Sequence, residues 1–149
     1  MVINLVEYDR IFLTLSWLWL NDPEIKVLTD TPDFSKESQE RWFESLCTID
    51  NYLIWGITVD DIPIGVCGLK NITKDNCEYW GYIGDKAYWG KGIGKYMVEK
   101  LEMKAMDLNL RKIYLKVLIT NERAIKLYNR MGYVVVASDE KELFMEKCL

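Results

Sequence analysis

The stretch Tyr82-Ile83-Gly84-Asp85-Lys86-Ala87-Tyr88-Trp89-Gly90-Lys91-Gly92-Ile93-Gly94-Lys95-Tyr96-Met97 constrains this chain more than any other, because it has to be the end of a strand, a glycine-rich turn and the start of a helix. Gly90, Gly92 and Gly94 alternate, so the backbone can take positive φ and approach a ligand closely while successive N–H groups point outward. The helix behind the turn adds the partial charge of its N-terminus, and Lys91 and Lys95 add full charges. A diphosphate fits such a cradle. Two familiar phosphate loops do not match: a Walker lysine is followed by serine or threonine, whereas Lys95 precedes Tyr96, and the dinucleotide fingerprint needs two residues where only Ile93 separates Gly92 from Gly94. On spacing alone a tight strand-to-helix connection without a ligand stays open.

The rest of the chain arranges itself around that turn. Residues 2–7 read as an edge strand, followed by a helix that ends at Asn21-Asp22-Pro23, with Leu13, Trp17 and Leu20 on one stripe and Trp19 on another side, as core or as the wall of a groove. An irregular segment over 27–34 precedes a second helix with Ser35 as N-cap and Trp42, Phe43 and Leu46 at helical spacing. Strands at 52–59 and 64–71 form a hairpin over Asp60-Asp61-Ile62-Pro63, and a third at 77–83 leads into the glycine turn. The helix over 92–107 buries Ile93, Met97, Leu101 and Leu108 and turns its charges, Glu102 among them, to solvent. A strand at 112–118, a helix at 121–131 closed by Gly132, and strands at 133–137 and 143–146 complete the order β-α-α-β-β-β-α-β-α-β-β. That order predicts an α/β fold of the α+β kind, with a mixed sheet that is antiparallel early and partly parallel at the helical crossovers.

Length and charge narrow the function. The 149 residues, half of them apolar, suit a single domain over 1–149. A net charge of −4 and a pI near 5 argue against nucleic acid as a partner, and the one long apolar run, 11–20, is about half of a membrane span. Four cysteines without C-x-x-C spacing and no histidine leave no metal set, so the expectation is a reduced, soluble, cytoplasmic protein without a metal.

A second constellation sharpens the reading. In Asn121-Glu122-Arg123-Ala124-Ile125-Lys126-Leu127-Tyr128-Asn129-Arg130-Met131-Gly132-Tyr133, Asn121 and Tyr128 lie two helical turns apart with the small Ala124 between them. An amide, a gap and a phenol suit a slot for an extended ligand, although Tyr128 taken alone reads rather as a core aromatic with its hydroxyl hydrogen-bonded. Together the two stretches resemble the GCN5-related N-acetyltransferase superfamily, whose loop is Arg/Gln-x-x-Gly-x-Gly/Ala and whose later helix carries Asn-x-x-Ala-x-x-x-Tyr-x-x-x-Gly-Phe/Tyr. The element order and Asn21-Asp22-Pro23-Glu24 are similar to the branch of ribosomal-protein N-terminal and nucleotide-linked amino-sugar acetyltransferases.

The resemblance implies acetyl-CoA as cosubstrate, held by residues 89–95 (Trp89, Gly90, Lys91, Gly92, Ile93, Gly94 and Lys95) with Asn121, Ala124 and Tyr128, and the backbone of Tyr82, Ile83 and Gly84 alongside the pantetheine arm. Trp89 replaces the usual Arg or Gln, and Tyr79 stands where many relatives carry a strand glutamate, with Glu78 beside it on the opposite face. Tyr128 is implied to protonate the departing thiolate, and the base is left among Glu78, Tyr79 and ordered water. The implied reaction is direct transfer to a primary amine of a small molecule, a nucleotide-linked amino sugar ahead of a protein N-terminus, with a non-catalytic CoA-binding module as the alternative class. Trp19, Asp30 and Trp42, in or beside the segment 19–34, are the candidates for the acceptor pocket, and the exposed C-terminal strands could pair in a homodimer.

Overall fold

The computed structural model describes residues 1–149 and is built on one seven-stranded sheet in the order β1-β2-β3-β4-β5-β7-β6. Strand β1 (Ile3–Glu7) leads into helices α1 (Arg10–Leu20), α2 (Pro23–Leu28) and α3 (Lys36–Ser45), after which β2 (Leu53–Val59), β3 (Ile62–Lys70) and β4 (Asn76–Ile83) run antiparallel. Helix α4 (Ile93–Asp107) crosses to β5 (Lys112–Leu118), which pairs in parallel with β4, and α5 (Glu122–Arg130), β6 (Val134–Ser138) and β7 (Glu142–Cys148) follow, β7 lying between β5 and β6.

Local chemistry sets these boundaries. The Asp9 carboxylate accepts the Ile11 and Phe12 N–H groups to open α1, and Ser35 and Ser38 exchange hydrogen bonds to open α3. Asp60 and Asp61, at φ 50° and 67°, make the two-residue turn whose left-handed residues match the twist of the β2–β3 hairpin. The register of that hairpin slips between Ile57 and Thr58, where Ile64 is the extra residue on β3. Its carbonyl accepts the Gly84 and Asp85 N–H groups at 2.8 and 3.1 Å and so fixes the end of β4.

Three sequence expectations need correction. Asn21-Asp22-Pro23 ends α1 but also starts α2, because Asp22 accepts the Glu24 and Ile25 N–H groups and Pro23 occupies a first-turn position where no N–H is needed. Glu102 does not face solvent: it is 7% exposed, and its carboxylate accepts the Tyr133 hydroxyl at 2.9 Å and the Lys147 ammonium at 3.1 Å. Both partners come from the C-terminal strands, which helical periodicity cannot see. Leu108, expected on the buried face of the same helix, is 44% exposed at its end.

Each face of the sheet carries its own core. On one side Ile93, Met97, Leu101 and Ala105 of α4 pack on Cys67, Leu69, Cys77, Tyr79, Ile113 and Leu115, with Ala124 and Tyr128 of α5 against the same cluster. On the other side Tyr8, Phe12 and Leu13 pack on Val66, flanked by Trp19, Trp42 and Phe43. Burial of an aliphatic side chain contributes about 1.5–3 kcal/mol, so these two layers, rather than helix propensity, hold the helices down. At the far edge β6 exposes Val134, Val135 and Val136. No helix is long and apolar enough to cross a membrane.

Candidate functional site

The site begins where the sheet opens. Strand β4 pairs with β5 at Asn76, Cys77 and Glu78 and no further, so from Tyr79 onward its edge on that side has no partner strand. A cleft of about 1640 Å³ runs through the gap, with Tyr79, Gly92, Gly94, Lys95 and Tyr128 among its walls on one side and Glu78, Trp80, Tyr82, Tyr52 and Trp42 on the other. Unpaired strand backbone lining a cleft offers hydrogen bonds to an extended amide-bearing ligand.

The glycine turn has the form of an anion site. Gly90 and Gly92 sit at φ 73° and 81°, and a Cβ added at either would meet nothing within 4 Å, so what demands glycine there is conformation. The first hydrogen-bonded amide of α4 is that of Tyr96, which reaches the Gly92 carbonyl at 3.4 Å, and the N–H groups of residues 90–95 have no partner in the chain. Gly94 serves a different end: a Cβ there would lie 3.1 Å from the Leu127 side chain, so its bareness lets α5 pack against the start of α4. The residues therefore fit a diphosphate group held largely by main-chain amides. Lys95 lines the cleft, while the exposed Lys91 stands outside its walls.

Two phenols face each other beside the turn. Tyr79 and Tyr128 stack edge to face at 6.3 Å, and Tyr128 lies 5.8 Å from the Tyr133 ring. Burial pushes Tyr128 up to about 12, and burial together with the neighbouring phenols pushes Tyr79 well above the ordinary phenol range. Both stay protonated at neutral pH, which suits donation rather than proton removal. Glu78, 5% exposed on the opposite face, is the one carboxylate of β4: Asn71 donates to it at 3.1 Å and the Lys70 ammonium stands 3.7 Å away.

The sequence pattern of the Acetyltransferase (GNAT) family matches residues 16–133. The chain belongs to this family. A domain from Methanocaldococcus jannaschii matches the GNAT chain at 23% identity over 99% of both chains with a TM-score of 0.88. The spermidine N-acetyltransferase of Vibrio cholerae, solved with CoA and spermine, matches at 21% identity over 98% of this chain and 95% of that one, with a TM-score of 0.88. The N-acetyltransferase PseH of Campylobacter jejuni, solved with acetyl coenzyme A, matches at 19% identity over 99% of both, with a TM-score of 0.76. These likenesses show the fold. Among curated proteins, a probable spermine N(1)-acetyltransferase of Bacillus subtilis subsp. natto is 42% identical over 50 residues, 33% of this chain and 33% of that protein. An uncharacterised protein of M. jannaschii is 29% identical over 70 residues, 47% of this chain but 14% of that protein, so each match spans only a minor part of the relative. The family and the mixed-sheet fold agree with the sequence reading.

Within the candidate site the other expected residues fall in distinct places. The Trp89 indole donates to the Ile83 carbonyl at 2.9 Å and so ties the turn to β4. The Arg123 guanidinium lies 5.7 Å from the Trp89 ring and lines the cleft, and it brings the positive charge that position 89 lacks. Asn121 caps α5 by accepting the Ala124 N–H at 3.4 Å. Trp42 lines the cleft, as does Asp30, whose carboxylate pairs with Lys141 at 2.8 Å. Trp19 is not a wall of the cleft: its ring lies edge-on to Tyr82 and fills the space above Gly84, where a Cβ would come within 2.0 Å of it. Sequence reasoning passed over Arg123, Tyr8, Ser16, Tyr52 and Trp80, of which only Arg123 carried a signal, by standing inside the Asn121–Tyr128 pattern. No group of three His, Cys, Asp or Glu residues is placed to hold a metal ion.

Proposed function

We propose that this protein transfers the acetyl group of acetyl-CoA directly to a primary amine of a small molecule. The observation that carries the reading is the parting of β4 from β5 after Glu78, which leaves one open strand edge between a cradle of free amides and a buried carboxylate. Bound acetyl-CoA supplies the acyl group and the thiol leaving group. The amides of 90–95 hold its diphosphate, Arg123 adds charge beside them, and a main-chain N–H among Tyr82, Ile83 and Gly84 polarises the thioester carbonyl. Glu78 takes the proton of the attacking amine, directly or through water, while Asn71 and Lys70 hold its carboxylate in place. Tyr128 donates a hydrogen bond to the departing sulfur. Full transfer from a phenol at about 12 to a thiol near 8.5 costs about 5 kcal/mol, so stabilisation of the thiolate outweighs its outright protonation.

Direct transfer is supported by the cysteines. Cys77 is pushed up to about 11 by burial and Cys67 further, so neither buried thiol offers a thiolate at neutral pH. For the acceptor, a nucleotide-linked amino sugar stands ahead of a protein N-terminus. An amine with a pKa near 8 is roughly a tenth neutral at pH 7, whereas a lysine-like amine near 10.4 is under about a thousandth neutral, and a single carboxylate suits the first. A polyamine is the second reading, favoured by the short match to the probable spermine N(1)-acetyltransferase. Exposed β6 is the surface on which a homodimer would form. Thiol release from acetyl-CoA across a panel of primary amines tests the proposal: amine-dependent release is expected, and CoA binding with no release for any amine would leave a binding module instead.

A further inference from the structure

On the α1 side of the cleft, three hydroxyls from distant parts of the chain meet around one serine. Tyr82 donates to the Ser16 oxygen at 3.2 Å, and Tyr8 and Ser16 share a hydrogen bond of 2.8 Å in which either is the donor. Ser16 is 2% exposed and Tyr8 7% exposed, yet all three residues line the cleft. Three O–H groups thus make two hydrogen bonds, and no other partner in the chain accepts from them. If Tyr8 donates to Ser16, the serine proton is left over; if Ser16 donates to Tyr8, the tyrosine proton is. In both arrangements one buried donor has no acceptor, a state that costs stability unless something entering the cleft accepts it. Burial pushes Tyr8 up to about 12 and Tyr82 higher still, so the cluster remains a donor throughout the neutral range.

The surroundings restrict what enters. Tyr52, Trp80 and Trp42 supply aromatic walls, Trp42 edge-on to Tyr8 at 5.7 Å. Three of the carboxylates on this side are already occupied: Glu24 pairs with Lys86 at 3.0 Å, Asp30 with Lys141 at 2.8 Å and Glu78 with Lys70 at 3.7 Å. Glu142 is the one carboxylate lining this face of the cleft without an ion pair, so a polycation finds a single site for its second ammonium, whereas an oxygen acceptor finds a waiting proton beside the aromatic walls. We infer that Ser16, with Tyr8 and Tyr82, reads an oxygen on the acceptor, so that the substrate is a small primary amine bearing a hydroxyl or carbonyl oxygen close to the nitrogen rather than a polyamine. This rests on the transfer reading above and narrows its substrate.

The test uses the purified protein with acetyl-CoA and two groups of amines: glucosamine and glycinamide, which carry the oxygen, and cyclohexylamine, propylamine and spermidine, which do not. With kcat/KM expressed per unprotonated amine, so that the different basicities of the two groups drop out, the oxygen-bearing group is expected to be at least about tenfold higher, the size of one well-made hydrogen bond. Replacing all three hydroxyls together, Tyr8→Phe/Ser16→Ala/Tyr82→Phe, keeps the shape and leaves no orphaned partner, and a thermal melt checks that it folds. Its ratio between the two groups is expected to fall toward one, through a higher KM for glucosamine or glycinamide. The double variant Tyr8→Phe/Ser16→Ala removes two of the hydroxyls but frees the Tyr82 proton from its acceptor, so it is expected to narrow the ratio less than the triple variant. Transfer that is blind to the oxygen in the unmodified protein, or a ratio that neither variant changes, overturns this inference and leaves the transfer reading standing. No transfer to any amine overturns both.

Discussion

Tyr128 concentrates the chemistry into one side chain whose environment has made it a poorer acid and a more dependable donor. Packed between Tyr79 and Tyr133, it has been pushed up to about 12 by burial, and so keeps its proton at any pH where an amine is nucleophilic. Tyr128→Phe preserves the ring and its packing and removes only that donor. It is expected to leave acetyl-CoA binding by calorimetry within about threefold and to lower kcat by about a hundredfold, the low end for a lost proton donor. Unchanged kcat would take Tyr128 out of the reaction. Tyr128 could be singled out in the sequence because Asn121 and Ala124 share its helix, where spacing alone states who is neighbour to whom. Ser16 could not, because its partners Tyr8 and Tyr82 lie on other elements, the second 66 residues away. Trp19 misled for the same reason: a helical wheel gives its direction on α1 but not that Gly84 leaves a gap for it to fill.

The strand, turn and helix around Gly92 work as one element. Their order could be read from the sequence because glycines and a helix start carry local signals, but not the parting of β4 from β5, which depends on a parallel pairing made across a whole helix and stopped at Glu78. Helix α2 went unread because its start signal, Asp22-Pro23, coincides with the stop of α1. The turn also separates two kinds of glycine. At Gly92 the φ of 81° admits no comfortable side chain, and Gly92→Ala is expected to cost about 1 kcal/mol of stability and to weaken CoA binding about tenfold by re-aiming the amides after it. At Gly94 the φ is ordinary and the nearest atom is the tip of Leu127 at 3.1 Å, so Gly94→Ala needs only a small side-chain shift and is expected to alter CoA binding less than about threefold. Calorimetric titration of both variants with CoA, beside their thermal melts, checks the distinction, and equal losses at the two positions would contradict it.

Taken whole, the molecule has placed most of its phenols where ionisation is harder than in water. Tyr8, Tyr52, Tyr79, Tyr82, Tyr114, Tyr128 and Tyr133 are all raised, chiefly by burial, some in the α4 core, some on the α1 side of the sheet and some along the cleft between. In the unfolded chain a phenol gives up its proton near pH 10, while in the folded chain these keep theirs. Above that pH the unfolded state therefore binds fewer protons than the folded one, and stability falls as pH rises. Below it the two states bind equally and these groups impose no pH dependence. Each phenol that stays protonated removes about 1 kcal/mol between pH 10 and 11, where the unfolded phenol goes from half to mostly ionised, so four of them remove about 4 kcal/mol, a large part of the whole stability of many domains. Melts in denaturant are expected to be level from about pH 8 to about pH 9.5 and to collapse by about pH 11, with phenolate absorbance appearing together with the loss of helical circular dichroism. Phenolate that appears while the helices persist would mean that these hydroxyls reach water in the folded chain, and the cleft would then be wetter than its aromatic walls imply.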